Sequence, residues 1–196
     1  MHGKIDVSGS HAVVIAPVNS EEVLRSNLAS SPCITAGRFA LHAVRGAPSA
    51  AVAYNLAIDA TSAPLLIFAH QDIYLPKGWD EALLEAISTI ERSDPDWGVI
   101  GVWGITPTGA FAGKVYCNGG GVEHVGIPGI TPVCSIDEII IVTRRASGLR
   151  FDDGLPGFHM YATDLCLTSK ARDMGCYAIE APVVHNSAGR WLVDQT

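Results

Sequence analysis

The chain has 196 residues, the size of one ordinary α/β domain and too short for two domains of average length. With 48% hydrophobic and only 17% charged residues it is richer in core-forming side chains than a disordered chain, so a substantial buried core is expected. A formal charge of -7 with no run of Lys or Arg gives a polyphosphate backbone nothing to bind, which sets nucleic acid aside as a partner.

Residues 1–10 are polar and lack the basic start and apolar run of a signal peptide. They read as an N-terminal tail before a domain over residues 11–196, and the expected location is cytoplasmic. The longest apolar stretches, such as Pro64 to Ala69, are far shorter than the roughly 20 residues that span a bilayer, so no transmembrane segment is expected. Cys33, Cys117, Cys134, Cys166 and Cys176 show no CxxC spacing, and an odd, scattered set fits neither a disulfide framework nor a zinc cluster. Reduced, mostly buried thiols are expected.

His11 to Val18 is a continuous apolar run, as in a strand buried on both faces. Ser20-Glu21-Glu22 then has the form of a helix start, with a serine cap and two acids facing the helix dipole. Arg38 to Val44 predicts a second strand, and Pro48 the first residue of a helix through Val52, Leu56 and Asp59. Pro64 to Ala69 predicts a third strand that runs into His70-Gln71-Asp72, and Pro76, Trp79, Leu83, Ile87 and Ile90 then keep helical spacing.

Beyond a strand over Trp97 to Trp103, the segment from Gly104 to Pro132 is dense in Gly and Pro and predicts loops and short strands. Ile136 to Thr143 is β-rich, Thr163-Asp164 opens a last helix, and a final strand, Tyr177 to Val184, delivers His185. Strands alternating with helices predict a single α/β domain with a mostly parallel central sheet flanked by helices. Such sheets bind ligands at the carboxyl ends of their strands.

His70 and Asp72 fall at such an end, although a carboxylate there also serves as a helix cap. A divalent cation on a diphosphate needs few protein ligands, because phosphate oxygens and water fill most of its shell, so one Asp and one His suffice. His185 is the partner expected for Asp72, against its plainer reading as a hydrogen-bonded structural histidine. Asp164 is read either as a helix cap or as a general base at a cleft mouth. Gly119-Gly120-Gly121, lacking a strand and helix around it, reads as a loop rather than a phosphate turn. Glu123, His124 and His159 read as surface or structural residues, with acceptor or metal contact as the alternative; Arg144 and Arg145 are weaker candidates for a diphosphate or for Asp137.

The order strand, helix, strand, Ala-rich helix, Leu-Leu-Ile-Phe-Ala-His-Gln-Asp, Leu-Pro-Lys-Gly-Trp resembles the donor half of family 2 glycosyltransferases. Ile136-Asp137-Glu138 to Arg144-Arg145, then Phe151-Asp152, His159-Met160-Tyr161-Ala162-Thr163-Asp164-Leu165-Cys166-Leu167 and His185-Asn186-Ser187, is similar to the streptomycin-biosynthesis-type branch of that group. The likeness runs from about Val13 to Trp191.

The resemblance implies a GT-A fold and metal-dependent transfer of a sugar from a nucleotide-sugar donor, with Mn2+ or Mg2+ as the cation and inversion at the anomeric carbon. Asp72 matches the last acid of the family's Asp-x-Asp motif, with His70 where the first acid often stands. His185 matches the late histidine of the metal shell, and Asp164 the base of inverting members. Pro17, Asn19 and Asn55 match positions that line the nucleotide pocket. Larger members carry further helices after the His-Asn-Ser strand that help form the acceptor site, so a homo-oligomer neighbour is one expected source of that wall. The acceptor (saccharide, lipid-linked or small molecule) is not written in the sequence. Two rival readings are a degenerate nucleotide-sugar-binding module and a glycoside hydrolase using Asp72 and Asp164.

Overall fold

Strand β1 (Ala12–Val18) sends alternate side chains to two faces: Val14 and Ala16 join one hydrophobic cluster and Val13 and Ile15 the other, all buried. The computed structural model of which this strand is the first element describes residues 11–117, 122–155 and 157–186. The tail over residues 1–10, the Gly119-Gly120-Gly121 run and the stretch beyond Asn186 lie outside them.

Helix α1 (Glu21–Ser26) begins as its sequence predicts, with the Ser20 hydroxyl accepting from the Val23 amide at 3.3 Å. After a short helix α2 (Pro32–Thr35) comes β2 (Ala40–Arg45), then α3 (Ala50–Ala60). The cap of α3 is Ser49, whose hydroxyl accepts from Val52 N at 3.2 Å, so Pro48 stands before the cap rather than first in the helix. Strand β3 (Leu65–Ala69) is fully buried, and the two-residue β4 (Ile73–Tyr74) leads to α4 (Trp79–Glu91), which buries Trp79, Leu83, Ile87 and Ile90 at the predicted spacing.

The predicted strand over Trp97 to Trp103 divides into β5 (Val99–Gly101) and β6 (Trp103–Ile105), which belong to different sheets. The Gly- and Pro-rich segment is more regular than expected: β7 (Phe111–Cys117) and β8 (Val122–Val125) form an antiparallel pair, with β9 (Thr131–Pro132) beyond them. The chain continues through β10 (Ser135–Ile136), β11 (Ile140–Arg144), α5 (Tyr161–Lys170), β12 (Cys176–Ala178) and β13 (Val183–His185).

The main sheet has the order β2-β1-β3-β11-β5-β12-β9. Parallel pairing joins β2, β1 and β3, and again β5 and β12, while β11 runs against both of its neighbours and β9 against β12. The α/β class is as the sequence predicts; the sheet is more evenly mixed than strand-helix alternation alone suggests, because β10 and β11 return without an intervening helix. A second sheet, β10-β6-β7-β13-β4, lies on a separate hydrogen-bonded path. The expected final strand is thus two, β12 in one sheet and β13 in the other.

The five thiols are free, with Cys33, Cys166 and Cys176 buried and Cys117 and Cys134 half-buried. Among the described residues no helix is long and apolar enough to cross a membrane.

Candidate active site

The parallel strands β1, β2 and β3 end on one side of the sheet, and their carboxyl ends open into a cleft of about 510 Å³. Pro17, Val18 and Asn19 come from the end of β1, Val44, Gly46 and Ala47 from the end of β2, and His70, Gln71 and Asp72 from the end of β3. Tyr54 of α3 and the segment Phe158, His159 and Tyr161 close the other wall. This is where an open α/β sheet places a ligand.

Gln71 ties two of these ends together. Its side-chain oxygen accepts from the amides of Asn19 and Ser20, both at 3.1 Å, and its amide donates to the Asn19 side chain. The motif after β3 thereby fixes the loop after β1.

Asp72 and His185 meet as the sequence predicts, although they lie more than half the chain apart. The antiparallel pairing of β4 with β13 sets Ile73 opposite His185, the Asn186 amide donates to the Asp72 carbonyl at 2.9 Å, and His185 Nε2 lies 3.4 Å from Asp72 Oδ1. His70 completes the group: its ring centroid is 5.7 Å from that of His185, and one donor atom from each of His70, Asp72 and His185 falls within 4.8 Å of the others. A cation at about 2.0–2.2 Å from each donor bridges such a set after a small contraction.

The hydroxyl of Tyr161 is 3.0 Å from His70 Nε2 and donates to the Glu138 carbonyl at 3.4 Å. The contact with the Tyr161 hydroxyl holds the ring of His70 through Nε2, which leaves Nδ1 as the nitrogen available to a ligand. Burial holds the His70 imidazole below its usual value; Asp72 opposes this and His185 adds to it. For Asp72, burial acts to raise the carboxyl, but the hydrogen bond from His185 and the charges of His185 and His70 outweigh it, and it stays below its usual value. His70 is thereby favoured as a neutral imidazole and Asp72 as an ionised carboxylate, the forms that ligate a cation.

Three expected site residues do not line the cleft: His185 meets it through Asp72, and Asn55 and Asp164 have other places. Asn55 donates to the Phe151 carbonyl at 2.8 Å and accepts from the Phe151 amide at 3.1 Å, so its amide braces the segment before α5 instead of lining the nucleotide pocket. Asp164 is neither a cap nor a lining residue: α5 begins at Tyr161, Met160 stands at the cap with φ 67°, and Asp164 is half-buried in the first turn. Arg144 and Arg145 are held by backbone, Arg144 by the Trp97 carbonyl and Arg145 by the carbonyls of Ile58 and Ala63. The sequence assigns no role to Gln71, Tyr54 or Tyr161. Gln71 stood inside the motif as a signal, whereas nothing near Tyr54 marks it, because an aromatic in an Ala-rich helix looks like core.

The family model described as "Glycosyltransferase like family" matches residues 14–193, and the chain belongs to that family. A curated relative, the "ATP synthase subunits region ORF 6" protein of Fuscovulum blasticum, is 31% identical over 140 residues, 66% of this chain and 53% of that protein. Among solved structures, the mannosyltransferase PcManGT from Pyrobaculum calidifontis, in complex with GDP-Man and Mn2+, aligns with TM-score 0.57 at 11% identity, covering 96% of this chain and 61% of that one. S. aureus TarS aligns with TM-score 0.55 at 16% identity, covering 90% and 60%. The fold is that of the GT-A glycosyltransferases; the chain spans about half the length of the curated relative and about three fifths of these two structures.

Proposed function

We propose that this chain is a metal-dependent glycosyltransferase that moves a sugar from a nucleotide-sugar to an acceptor hydroxyl, with inversion at the anomeric carbon, in the cytoplasm. The observation that carries the reading is the His70, Asp72 and His185 group at the mouth of a cleft on the carboxyl ends of β1, β2 and β3. The motif likeness to the streptomycin-biosynthesis-type branch agrees with it. A cation held there supplies positive charge against the departing diphosphate. Two of the three donors are imidazole nitrogens, a set that suits Mn2+ better than Mg2+, which favours oxygen.

The chain's own residues have divided tasks in this reading. Pro17, Asn19 and the end of β2 hold the nucleoside, Gln71 keeps that loop in place, and Tyr161 orients His70. Asn55 acts at one remove, by bracing Phe151. Asp164, the base that its motif position implies, does not line the cleft.

One observation favours a second reading, a binding module without turnover: among the described residues lining the cleft, Asp72 is the only carboxylate, and it faces His185. The same observation weighs against a hydrolase built on a facing Asp72 and Asp164 pair.

Thermal-shift titration against UDP, GDP, CMP and dTDP, with Mn2+, with Mg2+ and with chelator, tests the donor site. We expect one nucleotide to raise the melting temperature in a metal-dependent way, more with Mn2+ than with Mg2+, and Asp72→Ala to abolish the rise. No shift with any nucleotide under any condition would remove the transferase reading; a shift without release of nucleoside diphosphate from nucleotide-sugars would favour the binding module.

A further inference from the structure

Transfer needs a group to take a proton from an attacking hydroxyl, and among the described residues the only carboxylate lining the cleft is committed beside His185. Of the remaining lining residues, Tyr54 and Tyr161 are phenols that burial pushes upward, so they stay protonated. His159 is different. Its side chain is 64% exposed in the cleft wall, and its Nδ1 lies 3.6 Å from Glu138 Oε2, a carboxylate only 19% exposed.

The backing of this pair is built into the fold. Glu138 sits just before β11, where the Ile139 carbonyl accepts from the His70 amide at 3.2 Å and the Glu138 carbonyl accepts from the Tyr161 hydroxyl at 3.4 Å. His159 stands two residues before Tyr161. The two segments that carry the pair are thus tied to each other and to His70, beside the expected leaving group. Glu138 Oε2 faces His159 Nδ1, and a hydrogen bond closed between them would place the proton on that nitrogen and leave the Nε2 lone pair for an acceptor hydroxyl, as in catalytic pairs that tighten when substrate binds.

We infer that His159 is the proton acceptor of the transfer and Glu138 its positioning residue, an inference that rests on the transferase reading. As the acceptor oxygen forms its bond to the anomeric carbon, the bond from that carbon to the diphosphate oxygen breaks and its electron pair leaves with the nucleoside diphosphate. The hydroxyl proton passes to His159 Nε2, the resulting imidazolium is balanced by Glu138, and the proton then returns to solvent.

The test uses release of nucleoside diphosphate from nucleotide-sugars, with water in the acceptor's place, beside the metal-dependent melting shift with the same donor. His159→Ala is expected to lower turnover about 10²-fold with the donor-induced shift unchanged, and added imidazole to restore part of the rate. Glu138→Gln is expected to lower turnover about tenfold without changing donor affinity, and Glu138→Asp to recover part of it. Turnover in His159→Ala within about threefold of wild type, with Asp164→Asn inactive, would overturn the assignment and return the base to Asp164. If wild type shows no metal-dependent shift, the transferase reading has failed and His159 falls with it, an outcome distinct from a variant that binds donor and turns it over normally.

Discussion

Asn55 shows how one residue can satisfy a motif and still do something else. Both ends of its amide bond the Phe151 backbone, so Asn55→Ala leaves a half-buried donor and acceptor without partners, at a cost of about 1–3 kcal/mol. The expected outcome is a lower melting temperature with the nucleotide-induced shift retained; loss of the shift at unchanged stability would put Asn55 back in the pocket. Asp72 and His185 were legible because each follows an apolar strand run, and the strand end is a position that composition reveals. His159 was not, since a histidine in a Gly- and Pro-flanked loop looks like surface until Glu138, which is distant in sequence, is seen behind it.

At the scale of elements, boundaries were readable where a side chain makes the cap and unreadable where the backbone does. Ser20 and Ser49 accept from the third residue of their turns, whereas α5 starts from Met160 in a left-handed conformation with no side-chain cap, so Thr163-Asp164 was taken for the start three residues late. The runs around Val102 and Glu180 are continuous in hydrophobicity but change sheets, a step that apolar pattern does not encode. The far end of α3 depends on Arg145, whose guanidinium donates to the carbonyls of Ile58 and Ala63 and to the Thr61 hydroxyl. A lysine cannot reproduce that fork, so Arg145→Lys should cost about 1–3 kcal/mol in chemical denaturation while leaving donor affinity alone.

For the molecule as a whole, the α/β class and the ligand edge of the sheet were open to sequence reasoning because strand-helix alternation fixes both; the second sheet was hidden in a segment whose Gly and Pro content looks like loop. The site also gives the protein a pH signature. His70 has a folded value below its unfolded one, so the folded state resists protonation and stability is lost as pH falls through the unfolded value, near about 6.5. Asp72 is likewise depressed, and its contribution is lost at still lower pH, below the usual carboxylate range. Chelator-treated protein is expected to melt progressively lower as pH is brought from about 7.5 to about 5.5, and the Mn2+-dependent rise should shrink over the same interval because protons compete for the imidazoles. A rise that grows toward acid would contradict the ligand set.

His70 and Asp72 follow a strand of the main sheet, whereas His185 ends a strand of the second one. A cation shared among them would therefore be a stitch between two sheets that backbone hydrogen bonding leaves on separate paths. Any fluctuation that parted the sheets would then also release the cation, so that occupancy of the site and integrity of the seam would become a single equilibrium.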